Sequence, residues 1–110
     1  MNYLKRKLID AQRTPKEKIE MYNGSVYLPE GSLTTVFIDE YPTETSETER
    51  IRLSINYITQ DPQPEKKMYY ITVFKVQNNI VNTLIKDLTY LCSASIDNSN
   101  FMVFYKIIED

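Results

Sequence analysis

From Glu49 to Thr59 runs the clearest alternation of apolar and polar side chains in the sequence: Ile51, Leu53, Ile55 and Tyr57 take one face of an extended chain, Arg50, Arg52, Ser54 and Asn56 the other. A period of two fits a strand with one face on a dry interior and the other on water or a partner. The chain must therefore supply neighbouring strands and something to close the apolar side.

Other runs meet that demand. Leu33 to Tyr41 carries Val36-Phe37-Ile38, a β-branched and aromatic run buried at least partly on both sides, and Pro42 ends it. Lys67 to Gln77 and Phe101 to Ile108 are apolar on both faces, which places them inside a sheet. Ser25 to Leu28 reads as a short strand cut by the turn Pro29-Glu30-Gly31-Ser32. The segments Gln60 to Glu65 and Asp97-Asn98-Ser99-Asn100 supply further turns.

Helical spacing occurs in three places. In Asn2 to Gln12, Tyr3, Leu4 and Leu8 recur at helical intervals while Lys5, Arg6 and Lys7 occupy the other sides. Thr14-Pro15-Lys16-Glu17 has the pattern of a capping box; the helix it starts carries Ile19 and Tyr22 inward and stops at Asn23-Gly24, a pair suited to positive φ. Asn78 or Asn79 then caps a principal core helix through Ile80, Leu84, Leu88 and Leu91, flanked by Val81, Ile85 and Cys92, that ends near Ser93 to Ser95.

With 110 residues, 42% of them hydrophobic, one domain spanning 1–110 is expected. Its predicted class is α+β: a mainly antiparallel four- to five-stranded sheet, one long helix near 79–93 packed on a face, and two short N-terminal helices. Residues 1–24 form the basic helical segment and 25–110 the sheet with its helix.

Composition removes much chemistry. Without histidine or tryptophan and with one cysteine, the chain has no His-based triad, no Cys/His zinc site and no intrachain disulfide. Only Gly24 and Gly31 are available to shape a phosphate loop, so nucleotide-dependent chemistry finds no cradle. Cys92, among Leu88, Leu91 and Ala94, reads as a reduced, buried thiol. The expectation is a non-enzymatic protein with no catalytic residue, no metal site and no cofactor. A remaining enzymatic reading needs a concavity where Asp39 and Glu40 converge beside Tyr41.

The basic N-terminus lacks the apolar stretch of a secretory signal, and no window approaches the roughly 18 apolar residues that cross a bilayer, so a cytoplasmic protein of the cell or host cell, with no membrane partner, is expected. Nine Tyr beside two Gly, with Ile and Asn abundant, is the bias of an A+T-rich coding sequence, as in low-GC bacteria, their mobile elements and many viruses.

Three groups of residues bear on a partner. Arg50, Arg52, Tyr57, Tyr69 and Lys75 combine aromatic rings and cations on strands, as protein interfaces do and as base stacking requires; the same residues also serve ordinary cross-strand packing. Lys5, Arg6, Lys7, Arg13 and Lys16 belong to a segment, residues 1–24, with six basic against three acidic side chains, which suits phosphate contacts or the polar faces of two helices. Glu44, Glu47 and Glu49 lie on a Thr/Ser/Glu loop, solvated or an acidic protein-binding loop.

The leading expectation is a small protein–protein interaction module, an inhibitor or adaptor encoded by a virus or mobile element. Surplus apolar strand surface points to a homodimer. The alternative is a single-stranded DNA or RNA binder using the Tyr/Arg sheet face and the basic N-terminal helix. One continuous basic face favours nucleic acid; basic patches separated by acidic surface favour a protein.

Overall fold

A computed structural model describes residues 2–14, 20–40, 50–76 and 85–109. They form seven antiparallel strands: β1 (Tyr3–Arg13), β2 (Met21–Pro29), β3 (Leu33–Glu40), β4 (Arg50–Thr59), β5 (Lys66–Lys75), β6 (Thr89–Ile96) and β7 (Ser99–Ile108). They make one nearly closed, barrel-like sheet in the order β3-β4-β1-β2-β5-β7-β6. The end strands β3 and β6 approach without sharing a ladder; the Cys92 thiol of β6 donates to the Val36 carbonyl oxygen of β3 at 3.5 Å.

The expected α+β class is overturned, since no helix occurs among the described residues, and the sheet has seven strands rather than four or five. Asn2 to Gln12 is β1, not an amphipathic helix. Leu4 and Leu8 are four apart, a spacing that satisfies a period of 3.6 and a period of 2 alike. An unbroken ladder to β4, from Tyr3↔Thr59 to Gln12↔Arg50, decides between them, as tertiary pairing overrides local propensity. Ile9 and Ala11 face inward and Leu4 and Leu8 outward.

The second helix fails at its end. Asn23 and Gly24 do not stop it but lie within β2, and Tyr22 is buried in the interior of the sheet. The Thr14 amide donates to the Met21 carbonyl oxygen at 2.9 Å, joining β1 to β2 as a hairpin whose residues 15–19 lie outside the described residues.

The principal core helix near 79–93 is corrected as well. Residues 77–84 lie outside the described residues, Ile85 to Leu88 form a turn, and Thr89 to Ser93 belong to β6. The register with β7 slips between Tyr90 and Cys92, the mark of a β-bulge, and both Leu91 and Cys92 pack on the core. Two adjacent inward side chains, which read as positions three and four of a helix after Leu88, are here the product of that bulge.

The predicted turns hold. Gly31, at φ 78°, and the Ser32 amide, which donates to the Pro29 carbonyl oxygen at 3.1 Å, close the β2–β3 turn. Asp97 and Asn98 both take positive φ, as a two-residue hairpin between β6 and β7 needs.

The interior is filled from both halves of the sheet, with Leu53 and Ile55 of β4 and Leu28, Ile71, Val73 and Phe101 of β2, β5 and β7 all fully buried. A second cluster lies on the outer face of the other half: Met21, Phe74 and Phe104, covered by Ile85, Leu88 and Met102. It accounts for the apolar second faces of β5 and β7, which a short turn segment covers instead of a long helix.

Candidate functional site

Polar and apolar side chains of β3, β4 and β1 fall into rows across their outer face, because each strand turns every second residue outward. One row runs Leu8, Ser54, Phe37; the next, Arg6, Asn56, Thr35; beyond it Leu4 stands opposite Ile58. Toward the other end Asp10 and Glu40 flank Arg52, and Gln12 faces Arg50.

The apolar members of these rows are exposed, from 37% for Ile58 to 70% for Leu4, while Ser54 between Leu8 and Phe37 is only 5% exposed. Four of the nine large exposed apolar side chains among the described residues therefore share one three-stranded face. Scattered singly they would need no explanation; gathered on one sheet face they make that face a candidate site.

Charge on the same face is locally balanced. Asp10 lies 3.7 Å from Arg50 and 3.8 Å from Arg52, and Arg52 lies 3.8 Å from Glu40. All are solvent-exposed, so each pair adds little to stability, about 0–1 kcal/mol. Their effect is on the surface: two arginines and two carboxylates make a polar rim beside the apolar rows. Asp10 also separates these arginines from Lys5, Arg6 and Lys7 further along β1.

The sheet does not bring the five candidate partner residues together. Arg50 and Arg52 are on the outer face of β4, whereas Tyr57 points inward from the same strand. Tyr69 is 2% exposed, and its hydroxyl accepts the Gly31 amide at 2.8 Å, so its ring is core and turn support. Lys75 is half-buried at the end of β5 opposite Phe101, with β1 and β2 between its strand and β4.

Of the candidate phosphate contacts, Lys5, Arg6 and Lys7 are consecutive on β1, so they alternate between its two faces and do not form one basic helix side. Lys7 Nζ lies 6.0 Å from the Tyr57 ring centroid and donates to the Tyr27 carbonyl oxygen at 3.4 Å. Arg13 is exposed at the hairpin end opposite Tyr22. Lys16, Glu44, Glu47 and Glu49 lie outside the described residues.

Asp39 and Glu40 are exposed at the end of β3, and neither lines the open clefts of about 340 Å³ beside Tyr27 and Lys67 or about 240 Å³ beside Tyr70 and Lys106. Among the described residues no three His, Cys, Asp or Glu side chains group as a metal site would need, and no helix is long and apolar enough to cross a membrane.

Leu4, Leu8, Phe37 and Ile58 are the residues that reasoning from the sequence misses. Leu4 and Leu8 look like core when read as helical, and Phe37 looks buried between Val36 and Ile38. One signal does point outward: Ile58 breaks the polar series Arg50, Arg52, Ser54, Asn56 on the water face of β4.

Comparison with known proteins finds no relative: no family model, no curated protein and no solved structure matches the chain.

Proposed function

We propose that this chain is a small protein-binding module, acting by surface recognition rather than turnover, and that the outer face of β3, β4 and β1 is what meets its partner. The observation that carries the reading is the Leu8–Ser54–Phe37 row, with Leu4 and Ile58 beyond the intervening Arg6–Asn56–Thr35 row and the Asp10–Arg52–Glu40 row at the other edge. Exposed apolar side chains interleaved with polar ones and bordered by charge are the materials of a protein interface. Binding there would occlude the corresponding surface of the partner, as an inhibitor or adaptor does.

The nucleic-acid alternative has less support. Its platform residues Tyr57 and Tyr69 point into the core, and Asp10 and Glu40 interrupt the basic surface. Stacking on the sheet needs open ring faces, which these two tyrosines do not present.

The test is affinity capture from the native host, followed by titration of the purified partner against the wild-type chain and Phe37→Asp. Loss of a central apolar contact at an interface should weaken binding by at least about tenfold, the equivalent of about 1.4 kcal/mol. Tyr90→Ser, on the other half of the sheet, should leave it unchanged. Equal affinity for wild type and Phe37→Asp refutes the assignment of this face.

A further inference from the structure

The sheet has a seam between β1 and β2. The two strands pair only at Gln12↔Asn23 and Arg13↔Tyr22. Beyond that point, among the described residues, β1 is laddered to β4 alone, and β2 from Gly24 to Pro29 to β5 alone.

The direction of the backbone groups along the seam follows from one bond. The N–H and C=O of alternate residues in a strand point to the same side. Thr14 N–H donates toward β2, to Met21, so the backbone groups of Leu8, Arg6 and Leu4 face the same way, away from β4. Among the described residues no strand pairs with them. On the opposite bank the Tyr27 carbonyl oxygen is met by the Lys7 ammonium rather than by a backbone amide, so the strands have diverged beyond ladder distance there. Pro29, further along β2, has no amide to offer.

Side chains add a charge pattern to this edge. Lys5 and Lys7 lie on the inward side of β1, where Lys5 is exposed and Lys7 half-buried, and Arg6 on the outward side with Leu4 and Leu8; among the described residues no ion pair joins any of the three to a carboxylate. Asp10, the one acid of β1, is already placed between Arg50 and Arg52. Three successive cations repel a second copy of the same edge, which is how exposed strands are kept from self-pairing. An acidic strand would meet the opposite field.

We propose that the free edge of β1, at Leu4, Arg6 and Leu8, receives an extended acidic segment of a protein partner as an added strand. Its carboxylates lie against Lys5 and Lys7, and its intervening apolar side chains lie beside Leu4 and Leu8. Main-chain hydrogen bonds supply affinity and alternate side chains supply specificity, as in other strand-addition complexes. This rests on the protein-binding reading above and names how the partner's chain enters. The added strand would extend the β3-β4-β1 face at its Leu4/Leu8 border.

A labelled peptide of about seven residues, alternating valine and glutamate, tests the proposal by fluorescence anisotropy at low and moderate salt. Saturable binding is expected, weakened by at least about tenfold both when the glutamates are replaced by lysines and when the peptide's alternate amides are N-methylated. Lys5→Glu with Lys7→Glu should abolish it. Leu8→Pro, which keeps the cations and removes an edge N–H, should weaken it, with circular dichroism confirming the fold of each variant.

No binding of the peptide, indifference to N-methylation, or tighter binding of a labelled oligothymidylate than of the peptide overturns strand addition. Should that happen while Phe37→Asp still abolishes capture of the native partner, the outer-face reading stands and only the strand-addition mode falls. Should Phe37→Asp be silent as well, both fall.

Discussion

Gly24 packs against Asp10 so closely that a Cβ on the glycine would stand 3.0 Å from the Asp10 carbonyl oxygen, with Ile9 Cδ1 at 3.2 Å and Ala11 Cα at 3.4 Å. Ile9 can swing aside; the two backbone atoms cannot. This near-contact lies one residue past the last ladder pair between the two strands, Gln12↔Asn23, at the head of the seam.

Gly24→Ala is therefore expected to destabilise the fold. Removing a glycine from a strand gains about 0.5–1 kcal/mol, while overpacking against backbone costs about 1–3 kcal/mol, so the second effect wins. Urea denaturation should show a lower midpoint. Gly31→Ala should also destabilise, for a different reason: nothing lies within 4 Å of its added Cβ, but its φ of +78° strains an L-residue. An unchanged midpoint for Gly24→Ala would mean that the strands separate more easily at Asp10 than their spacing implies.

Tyr69 joins the core to the β2–β3 turn, its ring 5.9 Å from that of Tyr105 and its hydroxyl accepting the Gly31 amide at 2.8 Å. Tyr69→Phe keeps the ring and removes the acceptor. The expected loss is about 1 kcal/mol, the net worth of one such bond, read from the same denaturation curves. Faster hydrogen exchange at the Gly31 amide should accompany it, and partner binding should be unaffected.

How far the fold can be read from the residues depends on whether the local pattern distinguishes the two periods. Arg50 to Tyr57 alternates through four inward and four outward positions, too many to fit a helix, and β4 is found where it is expected. Val36-Phe37-Ile38 and the run from Met68 to Phe74 are β-branched and aromatic, and they too are strands. Leu4 with Leu8 offers only a spacing of four, and Leu88, Leu91 and Cys92 imitate a helical stripe through a bulge, so β1 and β6 are legible only once their partners are known. The candidate face inherits that difficulty. Arg50 and Arg52 can be assigned outward from β4 alone, but Leu8 and Phe37 meet across Ser54 only through a register that no single strand encodes.

The outer cluster of Phe74, Phe104 and Met21 gives a stability prediction independent of the interior. Phe74 is fully buried and meets Phe104 edge to face at 5.7 Å and 79°, and Tyr90 meets Phe104 at 5.5 Å and 69°. Phe74→Ala should cost about 3–5 kcal/mol, as for large truncations in a closed core. Native-state hydrogen exchange should then rise first in the turn from Ile85 to Leu88, which covers the ring. A cost below about 1 kcal/mol would show that this cluster adds little beyond the barrel interior.

Cys92 tests the opposite boundary, where β6 and β3 meet without a ladder. Its thiol donates to the Val36 carbonyl oxygen, and burial pushes its pKa above the ordinary thiol value. The thiolate is the reactive form, so labelling by a thiol reagent near neutral pH should be slower in the native chain than in urea. The linkage has a definite sign. With the folded pKa raised, the unfolded chain loses its proton first, so the thiol's contribution to stability is complete below the ordinary thiol pKa of about 8.5 and is lost as pH rises from there through the higher folded value. The difference in stability between wild type and Cys92→Ser, measured across that alkaline range, isolates the contribution of this thiol from that of the rest of the chain. A difference that stays flat with pH, together with labelling as fast as in urea, would show that β3 and β6 part readily and that the sheet is open at this end.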